Sequence, residues 1–208
     1  MNWIMVGEQR PTEWVAAPQR CTARFQVGHF GRRTVHGSMP VLAGRLTVGP
    51  DGQPQKITGV VDLAAIDTGH PRRDRDLRKP GLLDLDRHPR MSFVADDITG
   101  TDGEWRVAGV ATVRGRDVPL VFTVTRFDLG GDTVAVRAEA VLDRRQLGIK
   151  APEFLIGRWV TIAVHVVLRP DYRSASASPV NGLPIRANSV SVPEPTSTNL
   201  MPPPRSLT

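Results

Sequence analysis

An all-β, eight-stranded antiparallel up-and-down barrel is the fold predicted by this chain of 208 residues. Three observations predict it. Apolar residues recur with period two in eight separate runs, the pattern of strands with one buried face. Most gaps between runs hold Gly, Asp or Pro and are short enough for hairpin connections. An open meander of eight strands would leave two long unpaired edges, which full closure removes. A two-sheet sandwich is the other arrangement the pattern allows.

The first run alternates Ala23, Phe25, Val27 and His29 with Thr22, Arg24, Gln26 and Gly28. The second holds Leu42, Gly44, Leu46 and Val48, and the third Ile57, Gly59, Val61 and Leu63. Met91, Phe93 and Ala95 form the fourth, and Trp105, Val107, Gly109, Ala111 and Val113 the fifth. Val118 to Val124 and Val134 to Leu142 continue the alternation, and Trp159 to Leu168 ends it with both faces rather apolar. Turn chemistry falls between them at Gly49-Pro50-Asp51-Gly52, Thr101-Asp102-Gly103, Arg114-Gly115-Arg116-Asp117 and Gly130-Gly131-Asp132.

The one long interruption, Thr68–Pro89, loses period two. Pro71 suits the first turn of a short helix through Arg78, and Lys79-Pro80-Gly81 ends it. That helix is expected to cap one mouth of the barrel with Leu82, Leu83 and Leu85 beneath it. Asp74 or Asp76 is expected on its first-turn amides, and Asp74 and Arg78 as an i, i+4 pair.

Composition bounds the rest. Apolar residues at 40% and charged residues at 23% suit one globular domain. From Asp171 the chain turns to Ser-, Ala- and Pro-rich sequence that cannot bury enough surface to offset its ordering entropy. The expected organisation is a flexible stretch 1–11, a barrel 12–170 and a disordered tail 171–208. One cysteine, Cys21, excludes an internal disulfide framework. No apolar stretch is long enough for a signal or a spanning helix, so a cytoplasmic protein without stable membrane insertion is expected. The 27 basic residues exceed the 21 acidic ones, but only three are Lys and no block concentrates them. Aromatics are 5% of the chain, so base stacking is poorly supplied and no nucleic acid partner is expected.

The residues resemble the YceI family of polyisoprenoid-binding, lipocalin-like proteins over about Trp14–Leu168. Trp14, Pro18 and Ala23-Arg24-Phe25-Gln26-Val27-Gly28-His29 resemble its opening strand. Thr68, Arg73-Asp74, Leu77-Arg78, Gly81-Leu82-Leu83-Asp84, His88-Pro89 and Met91-Ser92-Phe93 are similar to its helical signature, and Asp143-Arg144 with Leu147-Gly148-Ile149 to its Asp-Arg segment. Leu83 and Leu147 stand at aromatic positions of the pattern, and Arg158 where an acid is common. The resemblance implies a barrel whose apolar interior holds a long isoprenoid or related chain, bound as cargo with no other cofactor.

Such a ligand asks for few polar groups, because each buried methylene contributes roughly 0.8 kcal/mol. The residues expected to line its site are Phe25, Val27, His29, Leu46, Met91, Phe93, Trp105, Val107, Phe122, Val136, Trp159 and Ile162; plain core packing is the competing role for each. His29 and His165 lie on strands and could point inward. The five His residues lack metal-site spacing, and no nucleophile elbow or phosphate-binding glycine loop occurs. Binding and carrying or sequestering a hydrophobic small molecule (polyisoprenoid, quinone-like or fatty-acyl) is therefore the expected function, not catalysis, with a homodimer left open. Two alternatives stand behind it: a basic barrel binding nucleic acid or anionic surfaces, and a small barrel enzyme using His29 or His165.

Overall fold

Each of the eight alternating runs forms one long strand, and a short strand precedes them. The computed structural model describes residues 13–30, 33–101, 104–130 and 132–172. The stretch 1–11 and the tail beyond Tyr172 lie outside the described residues. The strands are β1 (Glu13–Ala16), β2 (Thr22–His29), β3 (Arg33–Val48), β4 (Pro54–Asp62), β5 (Arg90–Thr101), β6 (Glu104–Val113), β7 (Arg116–Gly130), β8 (Thr133–Asp143) and β9 (Ile156–Pro170). Helix α1 (Pro71–Leu77) lies between β4 and β5.

From β2 to β9 every strand pairs antiparallel with its sequence neighbour, and β9 returns to pair with β2. The result is a closed eight-stranded meander, which has no free edge. The short β1 completes it by pairing with Thr47–Arg45 of β3 and Pro170–Leu168 of β9. It runs in the same sense as β2, so β1 and β2 form one stave interrupted by the 3-10 turn Pro18–Arg20. Cys21 fastens that interruption: its buried thiol lies 3.1 Å from Ala17 O, and Val167 N–H donates to Sγ at 3.3 Å. Asp171, which composition assigns to the tail, still donates its amide to Glu13 O at 2.8 Å.

Strand β3 begins nine residues before the Leu42 at which alternation first reads clearly. Gly37 and Pro40 blur its pattern. Gly37 has no side chain because a Cβ there would run into the Phe25 ring across the ladder. Pro40 sits on the last rung with β2, opposite Thr22, where a missing amide donor is least costly. A register shift between Val41 and Ala43 then turns Leu42 outward and returns Gly44, Leu46 and Val48 to the interior.

The two ends of the barrel differ. At one, few residues separate the strands: five between β3 and β4, and two each between β5 and β6 and between β7 and β8. At the other lie the turn after His29, the Arg114-Gly115 turn, the crossover 63–89 and the loop 144–155. Arg114 and Gly115 both take left-handed φ, 53° and 67°, as a two-residue hairpin turn matching strand twist requires. The crossover and the loop plug this second end. Leu63, Ile66, Leu85, Leu147 and Ile149 are buried against Ala111, Val113, Val118, Leu120 and Leu142 of the strands. Leu77, Leu82 and Leu83 pack partly buried around them, so the expected cap is present. We call this the closed end and the other the hairpin end.

Candidate ligand cavity

The closed end is held by polar clasps rather than by helix capping. Thr68 donates to the Asp74 carboxylate through its amide (3.1 Å) and its hydroxyl (2.6 Å), and Arg73 Nε donates to Thr68 Oγ1 at 2.8 Å. Asp74 thus holds the chain entering α1, where its first-turn amides were expected to be its partners. Arg78 likewise pairs with Asp86 (2.9 Å) and Ala64 O instead of Asp74. Both differences have one cause: a seven-residue helix has too little face of its own, so its charges reach into the adjoining loops.

The second clasp is Arg144. Its guanidinium is buried and donates to the carbonyls of Ile149 (2.8 Å), Ile156 (2.7 Å), Gly157 (2.9 Å) and Ala151. The carbonyls of Ile149 and Ala151 in the loop, and of Ile156 and Gly157 at the start of β9, would otherwise be left short of donors. Asp143 beside it accepts from Arg145 N (3.0 Å) and Arg158 Nε (2.8 Å). Partial burial works against ionisation of Asp143, but those two donors outweigh it and hold its carboxyl below the usual aspartate range. The Asp-Arg segment is a loop anchor.

Toward the hairpin end the barrel is hollow. A cavity of about 200 Å³ opens there, far beyond the roughly 10–15 Å³ that one water needs. No polar atom faces it. Small residues on the inward phase create the space: a Cβ built on Gly59 meets nothing within 4 Å, and Ala23 and Ala138 stand opposite where larger side chains would fill it. The contrast is Gly109, toward the closed end, where a Cβ would lie 2.7 Å from Ala95 Cβ and 2.8 Å from Phe93 Cζ.

Eight of the twelve residues expected from sequence line this space: Leu46, Met91, Phe93, Trp105, Val107, Phe122, Val136 and Ile162. Phe93 and Phe122 meet edge to face, their centroids 5.2 Å apart. The other four lie elsewhere. Phe25 packs over Gly37 against the core without reaching the cavity. Val27 is half-buried at the closed end, beyond the hollow half, and His29 there meets the Phe30 ring edge to face at 4.3 Å. Trp159 faces outward, 55% exposed, with the Arg158 guanidinium 4.5 Å from its ring. Parity explains it: β9 turns Ile162, Val164, Val166 and Leu168 inward, and a residue three positions from Ile162 must face the other way. His165 shares that outward phase, cross-strand from Thr22 and Arg137, so neither His residue enters the cavity.

Sequence reading missed Met39, Val41, Ile98 and Phe127, which also line the space. Met39 and Val41 lie on the unrecognised start of β3. Ile98 and Phe127 follow register shifts at Ala95/Asp97 and Val124/Arg126 that reverse the phase. A purely alternating template cannot see such an insertion. Among the described residues no group of three or more His, Cys, Asp or Glu could hold a metal ion, and no helix is long and apolar enough to cross a membrane.

The sequence profile of the YceI-like domain matches residues 14–168, three-quarters of the chain and all of its barrel up to Leu168. The chain belongs to the YceI-like family. A UPF0312 protein of Pectobacterium carotovorum is 23% identical over 115 residues, covering 55% of this chain and 60% of that protein. The chain thus spans about 60% of the length of that curated relative. BcnA of Burkholderia cenocepacia superposes with a TM-score of 0.64 at 15% identity, over 73% of this chain and 98% of that one. A polyisoprenoid-binding domain from Saccharophagus degradans, implicated in plant cell wall breakdown, superposes at 0.55 and 11% identity, over 78% and 100%. These likenesses share the YceI barrel fold. The clasps at Thr68–Asp74 and Asp143–Arg144 fall on the segments that resemble the family's signatures, and in this chain those segments close one end.

Proposed function

We propose that this YceI-like barrel binds one long-chain hydrophobic molecule, of the polyisoprenoid, quinone-like or fatty-acyl class, and carries or sequesters it. One observation carries the reading: a hollow half-barrel with no polar atom facing it. Empty apolar volume forfeits dispersion contacts along its lining, and filling it with hydrocarbon restores them without desolvating any polar group. Ten methylenes transferred into it would contribute about 8 kcal/mol before the freedom lost on binding is subtracted. The Saccharophagus domain, which shares the fold, is a polyisoprenoid-binding one, and that supports the choice of ligand class.

In this reading Leu46, Met91, Phe93, Trp105, Val107, Phe122, Val136 and Ile162 form the contact surface, with Met39, Val41, Ile98 and Phe127. The polar head of the ligand stays at the hairpin mouth, since the interior has nothing to receive it. The test is native mass spectrometry of gently purified protein, followed by organic extraction and by titration with a long-chain fluorescent probe. A co-purified lipid, or one probe taken up per chain, is the expected result. Protein that carries no lipid and also refuses the probe would overturn the reading.

A further inference from the structure

We propose that the closed end of the barrel is a docking surface for an anionic lipid bilayer. Charge is sorted along the barrel axis. Among the described residues, the three links of the hairpin end carry Asp51, Glu104 and Asp132 and no base. At the closed end Arg33, Arg114 and Arg116 stand at the strand ends and the Arg114-Gly115 turn, and the crossover 63–89 carries six bases against five acids. The loop 143–159 adds Lys150; its Arg145 and Arg158 are paired with Glu153 and Asp143, and Arg144 is buried on carbonyls as a further positive charge beneath them. The closed end is therefore the positive pole, which attracts an anionic surface and falls toward it by that end first.

Large rings stand at the same pole. Phe30 is 57% exposed and Phe154 71% exposed, and their loops are joined by the Phe30 N–H donating to Leu155 O at 3.5 Å. Trp159 begins the strand that follows, with Arg158 against its face. Phe30 also takes φ of 50°, a left-handed conformation that a bulky residue adopts at a cost. The ring projects outward, edge-on to His29 at 4.3 Å. Aromatic rings beside Arg and Lys on protruding loops match the headgroup level of a bilayer, where each ring keeps an apolar body in and its cationic neighbours on the phosphates. A flat partner surface of the size stable dimers need is not what two loop tips offer. Docked in this way, the barrel holds its hairpin mouth away from the bilayer and toward the aqueous side. The proposal does not depend on the ligand reading above.

The test is co-sedimentation of the full chain with vesicles of phosphatidylcholine alone and of phosphatidylcholine mixed with phosphatidylglycerol. The wild type should pellet with the mixed vesicles, and salt should release it. The triple variant F30S/F154S/W159S should bind those vesicles about tenfold more weakly or less, while its thermal midpoint and its uptake of the long-chain probe stay those of the wild type. The single variant Phe154→Ser, on an irregular loop, repeats the test should the triple variant fail to fold. Three results would each overturn the proposal: no binding of the wild type to mixed vesicles, equal binding by wild type and variants, or a wild-type dimer that the variants convert to monomer.

Discussion

The closed end and the hairpin end of this barrel are built from the same eight strands with the same alternation, yet one is solid and the other hollow. At the closed end the inward phase carries Val113, Val118, Leu120 and Leu142, and the crossover and loop add Leu63, Leu85 and Leu147 from above. At the hairpin end the inward phase carries Gly59, Ala23 and Ala138 among a few aromatics, of which Phe93 and Phe122 meet edge to face, and among the described residues no loop plugs the space. Stability and binding are thus separated along one axis. A barrel can leave volume empty at one end only if the other end supplies the packing and satisfies its own loop backbone.

That separation makes different substitutions fail in different ways. Arg144→Met should have the largest effect, about 3–5 kcal/mol of stability by urea unfolding, since four buried carbonyl acceptors lose their donor at once. Leu85→Ala should follow at about 3–4 kcal/mol, because it opens a void inside a filled layer. Leu46→Ala, on the hollow side, should cost clearly less, since one face of Leu46 already meets empty space. A pair of glycine replacements sharpens the comparison. Gly109→Ala should lose about 1–3 kcal/mol from overpacking against Ala95 and Phe93. Gly59→Leu should leave the unfolding midpoint unchanged or raised while weakening probe binding by about tenfold, or roughly 1.4 kcal/mol. Equal stability losses at both glycines would erase the distinction between the two ends.

The smallest effect concerns pH. The Asp143 carboxyl is held below its ordinary value, so its contribution is fully present above the unfolded-state value near 3.9 and is lost as pH falls through the lower folded value. Asp76 behaves in the same sense, because the Lys79 ammonium donates to it. Acid unfolding of Asp143→Asn should accordingly show a shallower dependence on pH below about 4 than the wild type.

Much of this was legible in the chain. Alternation locates every long strand, since a half-buried strand must place apolar side chains at every second position. Pro71 and the loss of period two locate the crossover. Where the reading fell short, the cause was local. The insertions at Val41/Ala43, Ala95/Asp97 and Val124/Arg126 change phase without changing composition, and they hide Ile98 and Phe127 from any alternating template. The final strand is apolar on both faces, so nothing in its pattern separates Trp159, outside, from Ile162, inside. The clasps were visible as motifs but not as roles, because Asp74 and Arg144 bind backbone far from where a surface pair would place them.

The central proposition is that hydrocarbon enters the hollow half. Crystals grown with an alkyl chain bearing bromine at its end test it most directly through the anomalous scattering of that atom. The account predicts a bromine peak inside the barrel, bounded by Gly59, Phe93, Ala138 and Ile162. A peak confined to the outer surface, or an interior filled by rearranged side chains when the probe is in excess, would contradict it.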